Sequence, residues 1–466
     1  MEGRKGAPTV EVAKPTDRVM SLDVLRALAI LGMMLSGVVP WSQLPGWMYH
    51  AQLPPPDHKF NPELPGITWV YLVFPFFILA MGAAIPLAMR KEADSPPLKV
   101  FLGIARRGIL LLAFAVLGQH LRPYQMASSP QTVHWLLGLA GFVGFLGLYG
   151  RLPKTWPGFA SASVRSAGLA ILLGIAFTVT YPDGSGFDLK RVDIIIAVLA
   201  NMSVLGAVIW WFTRDPATAT QRRLFVLGAV AALRLGKTVS GQPLHTFWTW
   251  NAWMPLSGPD FLPYLLVIVP GLILGDLLLG SREGSEGGMS PALACAVGFL
   301  LVPAVVVFFY DRHNIWLLLP VGILGAWLAT RVADPRIRPI LLWGYAWLLI
   351  GCLVEPYGGG IKKDPKTMGY LLVTPGLGML TLAGLMALEP YARRVLGFFA
   401  AVGQNPILAY AAITNLVAPL WALTIGGKVA ELTPGPNLGA VRALVQTALL
   451  AAIVWGFTRL KVFMRA

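Results

Sequence analysis

The chain has 466 residues, 56% of them hydrophobic and 13% charged, with a formal net charge of +15. A soluble protein carries about 25% charged residues, whereas apolar segments long enough to cross a bilayer, roughly 20 residues each, recur here along the whole chain. The short alternating segments of a β-barrel are missing, and the basic excess reads as loop charge beside a membrane rather than as a nucleic-acid footprint, so no nucleic-acid partner is expected.

The pattern predicts an all-α, polytopic integral membrane bundle. Residues 1–19 lack a signal-peptide pattern and read as a disordered cytoplasmic tail. Spans are expected at about 21–40, 67–89, 99–120, 132–150, 164–181, 192–212, 223–240, 262–280, 290–310, 314–331, 338–355, 369–388, 398–424 and 438–459. That makes about 14 (range 10–14), in one transmembrane domain over 20–460, followed by a short cytoplasmic tail at 461–466. Connections holding Arg90, Lys91, Arg151, Arg222, Arg223, Arg393 and Arg394, together with the N-terminal tail, are about twice as rich in Lys and Arg as the others. By the positive-inside rule these connections and both termini are cytoplasmic. The longest connections, 41–66, 241–261 and 356–367, then face outward. Cys295 and Cys352 both lie inside apolar runs, so no disulfide framework is expected.

In chain order, Asp23 and Arg26 stand at i, i+3 in the first span and can pair on one helix face. The next loop, WMYHAQLPPPDHKF, holds His50, Asp57 and His58 around Pro54, Pro55 and Pro56. Three prolines favour an extended, stiff segment, which lowers the entropy cost of holding His50 and Asp57 at the bilayer surface. The same stiffness could serve only to cap two helices. Arg106 and Arg107 lie about two turns into the third span, and Arg234 and Lys237 lie in the seventh. A charge at the bilayer centre costs about 2.5–3.5 kcal/mol, so such groups usually face protein or a cavity. These cations could line a path for a phosphorylated cofactor, or snorkel to lipid phosphates.

His50, His58, His120, His134, His245 and His313 all fall at outer loops or outer span ends. Histidine exchanges protons near neutral pH, which suits a proton-handling site there. No two of them stand at i, i+3 or i, i+4 and no HExxH occurs, so no metal is expected. In the loop 241–261, Phe247, Trp248, Trp250 and Trp253 could stack on a sugar or form an interfacial aromatic belt. Asn251 or Asp260 could bind hydroxyls there. Gln404 and Asn405 precede Pro406 in an apolar run. They can satisfy carbonyls freed by the proline or bind a polar substrate.

RVMSLDVLRALAILGMMLSG resembles the opening "SLDxxRG" helix of transmembrane acyltransferases related to heparan-α-glucosaminide N-acetyltransferase. WMYHAQLPPP and GITWVYLVFPFFILAMGAAIPLA resemble that family's histidine loop and "DLVFPFF" helix. IKKDPKTMGYLLVTPG resembles its "KKxxWTxSYxLxT" segment, and GQNPILAY its "GxNAIxxY". The likeness runs in order from residue 20 to about 412 and is nearest to a bacterial branch described as a domain of unknown function. Three positions depart from the pattern: Tyr71 replaces the Asp before LVFP, Ala27 replaces a Gly, and DPKT replaces the stretch holding the Trp.

The resemblance implies acetyl transfer across a bacterial cytoplasmic membrane, from acetyl-CoA inside to a glucosamine-type amine outside. His50 matches the family's catalytic histidine. With Tyr71 in place of the Asp, a carboxylate partner has to come from elsewhere, and Asp57 is the candidate. Arg26, Arg106 and Arg107 are candidates for the phosphates of acetyl-CoA. Candidates for the acceptor are His58, Trp250, Lys362, Lys363, Gln404 and Asn405. His50 can act as general base or carry the acetyl group transiently; the sequence does not separate the two. A secondary transporter of amino sugars is the other reading, because charges and proline breaks inside helices suit it equally. A homodimer is compatible with either.

Overall fold

A computed structural model describes residues 18–41, 44–153, 155–236, 246–248, 250, 255–280, 295, 296, 298, 302, 306, 309 and 318–466. Lys237, His245, Asn251, Trp253, His313 and most of the expected span 290–310 lie outside the described residues.

The described chain is helical, and its one β-bridge joins Gly150 to Met464. Its main helices are α1 (Met20–Val38), α2 (Trp69–Met89), α3 (Pro97–His120), α4 (Thr132–Tyr149), α5 (Gly158–Thr178), α6 (Ile194–Phe212), α7 (Ala219–Gly236), α8 (Leu265–Gly280), α9 (Leu318–Thr330), α10 (Ile337–Val354), α11 (Met368–Gly403), α12 (Pro406–Leu423, with a π-helical turn at Ile413–Val417) and α13 (Pro436–Arg459). Among the described residues, eleven helices are long and apolar enough to cross a membrane. The chain is thus a polytopic helical bundle.

The expected spans at 223–240, 290–310 and 314–331 each run into residues outside the described ones. Arg222, Arg223 and Arg234 punctuate α7, and Arg223 is buried against Asp276, Thr213 and the Leu272 carbonyl. The described part of the last of these spans is α9. α11 is two helices joined across a kink at Ala392, just after Pro390, in the break expected between the spans 369–388 and 398–424; its second part ends at Gly403 and α12 begins at Pro406.

Lipid offers no hydrophobic drive between helices, so close backbone packing must hold them. Gly82, Gly271 and Gly275 let α2 and α8 touch backbone to backbone, and a Cβ at any of them would meet a carbonyl oxygen at 2.5 Å. Gly403 seats the end of α11 on α1, where a Cβ would fall 1.8 Å from the Asp23 carbonyl oxygen. Asn405 closes the same end: its Nδ2 donates to the Val462 carbonyl (2.7 Å) and its Oδ1 accepts from the Met464 N–H (3.1 Å). We call this the terminal end, since Arg18 and residues 461–466 meet there in one cavity wall.

Gly403→Ala should therefore lower stability by at least about 1–3 kcal/mol, the usual cost of overpacking. Gly397→Ala, where nothing lies within 4 Å of an added Cβ, should be neutral or gain up to about 1 kcal/mol from helix propensity. Denaturant unfolding in detergent reads both, and equal stability of the two variants would refute the close approach.

Candidate functional site

Two clusters form at opposite ends of the bundle. At the end away from the termini, residues 44–66 fold back over the start of α2. Gln52 is fully buried and ties this loop to residues 361–367. Its Nε2 donates to the carbonyls of Pro62 (3.1 Å) and Asp364 (2.5 Å), and its Oε1 accepts from the Asp364 N–H (3.2 Å). The Tyr71 hydroxyl donates to Gln52 Oε1 (3.0 Å) and accepts from the Gln52 N–H (3.1 Å). Tyr370 donates to the Tyr71 carbonyl (3.0 Å), so the start of α11 joins the same network.

His50 sits beside the Tyr71 ring, centroids 5.2 Å apart, and Lys363 Nζ lies 5.4 Å from the centre of that ring. Burial first, then the Lys363 charge, pushes the His50 pKa down to about 4. The imidazole is therefore neutral at physiological pH and can accept a proton. Lys363 is itself lowered, chiefly by burial.

Among the four described histidines, only His50 has no side-chain hydrogen bond. His120 Nδ1–H donates to the Val116 carbonyl while Nε2 accepts from the Asp188 N–H. His134 caps α4 through the Gln131 N–H. His58 approaches the Leu53 carbonyl at 3.3 Å and is held edge-on between Trp41 and Tyr49. All four lie at the end away from the termini, as the sequence suggests.

The expected pairing of Asp57 with His50 does not form. Asp57 is exposed, no hydrogen bond joins it to the ring, and the group against the imidazole is Tyr71. Lys362 is buried and paired with Glu63 (2.8 Å), and Lys366 is paired with Asp260 (2.6 Å), so Asp260 serves the loop structure. Trp248 is buried with its indole N–H on the Leu233 carbonyl, while Trp250 is exposed and no described contact joins it to His50. Arg234 donates to the Lys366 carbonyl, at this end rather than on a phosphate path.

At the terminal end, two adjoining cavities open among arginines. The outer one, about 720 Å³, is lined by Arg106, Arg107, Arg151, Arg165 and Arg465, with Glu92 the acidic side chain in its wall. The inner one, about 370 Å³, has Arg18, Arg26, Arg107, Arg465 and Gln404 at one end and apolar walls beyond, including Met33, Phe77 and Phe114. Arg107 and Arg465 belong to both. Asp23 is buried between Arg18 (2.7 Å) and Arg26 (2.8 Å), so the i, i+3 pair read from the sequence forms. The side chains of Arg106, Arg107, Arg151 and Arg465 have no ion-pair partner among the described residues. Burial, then the charges of Arg18, Arg151 and Arg26, lowers the Arg465 pKa.

The 461–466 segment is part of this wall. Besides Asn405, it is held by Arg151 N–H to the Phe463 carbonyl (2.7 Å) and Arg465 N–H to the Tyr149 carbonyl (2.8 Å). Asn405 thus uses both ends of its amide on the backbone, and Gln404 faces the arginines, away from His50. Sequence reasoning missed Arg151, Arg165 and Arg465 as site residues. Arg165, a lone charge in an expected span, was the available signal.

The inner cavity reaches Met33. Its neighbour Gly32 packs on Val73, two residues from Tyr71. On α2 the lining ends at Phe77, six residues and so about 9 Å of helical rise from Tyr71. Beside it, Tyr410 donates to Asp193 (2.5 Å) and Arg122 pairs with the same carboxylate, closing the cavity's other corner.

A family model described as a domain of unknown function, DUF5009, matches residues 18–278. The chain belongs to the DUF5009 family. No curated protein matches it. The DUF5009 match covers α1 to α8, including His50, Tyr71, Arg26, Arg106 and Arg107. Lys363, Tyr410 and Arg465 complete the two clusters from beyond it.

Replacing Lys363 with Met removes the second cause of the low His50 pKa and leaves the first. The His50 pKa should rise from about 4 but stay below the ordinary value, because burial remains. The pH at which diethylpyrocarbonate labelling of His50 is half-maximal, read by peptide mass spectrometry, should move up accordingly. An unchanged midpoint would separate Lys363 from the imidazole.

Proposed function

We propose that this protein is an acetyl-CoA-dependent N-acyltransferase with an amino-sugar acceptor. One observation carries the reading: a guanidinium-lined entrance continues into an apolar cavity that runs along α1 and α2 toward the end where a neutral histidine stands. A phosphorylated carrier with a long thin arm fits that profile. Guanidinium groups match phosphates in charge and fork geometry, and apolar walls suit the arm. The four-motif resemblance to acyltransferases related to heparan-α-glucosaminide N-acetyltransferase supports the same chemistry.

In this reading acetyl-CoA binds from the terminal end, which faces the cytoplasm of a bacterial inner membrane because that side is richer in Lys and Arg. The acceptor, a glucosamine-type amine, approaches from the opposite side. His50 takes a proton from the amine as its nitrogen bonds to the acetyl carbon. The C–S bond breaks and the thiolate of CoA leaves. Tyr71 and Lys363 hold the imidazole unprotonated beforehand. Positioned base catalysis is worth about 10²–10⁴ in rate. Transient acetylation of His50, followed by attack of the amine, uses the same groups.

A secondary transporter of amino sugars is the second reading. The observation that favours it is the closure of the cavity on one side by Tyr410, Asp193 and Arg122, as in a carrier open to one face.

The test is thiol release from acetyl-CoA by protein in nanodiscs with glucosamine. Wild type should release thiol in an acceptor-dependent way, and His50→Ala should lose about 10²–10⁴ of the rate while still binding CoA. Glucosamine flux in proteoliposomes without thiol release would replace the enzyme by the transporter.

A further inference from the structure

The arginines of the terminal end are not one cluster. Of the two cavities, Arg106, Arg151 and Arg165 line only the outer one, and Arg18 and Arg26 only the inner one; Arg18 also stands in the wall of a further cavity, with Arg90, Arg336 and Arg393. Arg107 and Arg465 stand in both walls and mark the junction. Asp23 offsets Arg18 and Arg26 in part, whereas the acidic side chain among the described residues of the outer wall is Glu92, and no described ion pair joins it to these arginines. Arg165 donates one N–H to the Leu148 carbonyl (2.9 Å), which fixes its head and leaves its other donors available. Arg465 is fixed through its backbone. Such crowding of like charge is unfavourable without an anion, and the outer group, Arg106, Arg151 and Arg165, is exposed and open to one from outside the bundle.

We propose that these cations form two separate phosphate subsites, joined at Arg107 and Arg465, and that the ligand carries phosphate in two distinct places. The inner subsite (Arg26, Arg107, Arg465) holds the phosphates adjoining the arm that enters the apolar cavity. The outer subsite (Arg106, Arg151, Arg165) holds a phosphate on the far side of the nucleoside. This rests on the acyl-CoA reading and adds a specificity to it: CoA, whose ribose carries a 3′-phosphate besides the pyrophosphate, is preferred over 3′-dephospho-CoA.

Calorimetric affinities of purified protein for CoA and 3′-dephospho-CoA test this, in micelles with and without phosphatidylglycerol. Wild type should prefer CoA by about ten- to a hundredfold, as expected for one charged hydrogen-bonded group. Arg106→Gln and Arg165→Gln should erase the preference and leave dephospho-CoA affinity unchanged, whereas Arg465→Gln should weaken both ligands. Equal binding of the two ligands by wild type, a comparison that needs no variant, would overturn the proposal and leave the acyltransferase reading standing. So would outer-site variants that weaken both ligands alike. Loss of the preference when phosphatidylglycerol is added would assign the outer subsite to lipid headgroups and also overturn it. A preserved preference without thiol release would sink the acyltransferase reading and keep the two subsites. Failure to bind either ligand would sink both.

Discussion

Among the described residues, Asp23 is the buried carboxylate that meets the arginines of the terminal end, and the architecture there depends on it. It is held between Arg18 and Arg26, and the Arg26 guanidinium fixed in this way donates a hydrogen bond to the Ala80 carbonyl (3.3 Å), which links α1 to α2. The carbonyl of the same residue is where Gly403 brings α11 against α1. Removing one member of such a buried pair commonly costs about 3–5 kcal/mol, because a charge is stranded. Yet Asp23 answers only two of the guanidinium groups. The remaining positive charge faces the cavities, and it makes an apolar bundle attractive to a polyanion.

The opposite end follows the reverse logic. There the lysines are answered one by one: Lys362 by Glu63, Lys366 by Asp260, and Lys363 loosely by Asp364 at 3.9 Å. What remains uncommitted is the imidazole of His50, neutral because it is half-buried beside Tyr71 and near Lys363. Gln52 makes this arrangement rigid. It satisfies groups from two distant loops at once, and a buried amide with all its bonds made fixes geometry more strongly than several exposed contacts. One end therefore gathers positive charge around its cavities, and the other pairs its lysines at 362–366 and leaves an imidazole without a hydrogen bond.

How far this was legible in the sequence varies by residue. Asp23 with Arg26, and Arg106 with Arg107, announce themselves because ionised groups inside apolar runs need a cavity or a partner. His50 stands out through the prolines beside it. Gln52 does not: one residue among polar loop residues gives no sign that its amide will be buried 312 positions from its partner, Asp364. Nor does Arg465, which reads as an ordinary basic residue after a span until Asn405 and Tyr149 are seen to hold its segment in the cavity wall. Asn405 itself follows the blander of its two readings, satisfying backbone groups, though those of the 461–466 segment. The fold was clearer than the site, since a span is a local property and each cluster depends on contacts between segments hundreds of residues apart.

Tyr410, Asp193 and Arg122 bear on which of the two functional readings the architecture favours. Asp193 caps α6 by accepting from the Ile195 and Ile196 N–H groups, and its backbone N–H donates to the Ala115 carbonyl, so the carboxylate that closes the cavity is also part of a helix end. A transporter must open this closure in every cycle, breaking the contacts of Tyr410 and Arg122 on Oδ2 while Oδ1 keeps the cap. The proposed acyl transfer makes no such demand, since a carrier held at the terminal end leaves the closure shut. A carboxylate that carries a guanidinium and a hydroxyl on one oxygen, and caps a helix with the other, is costly to move, which favours the proposed acyltransferase over the transporter.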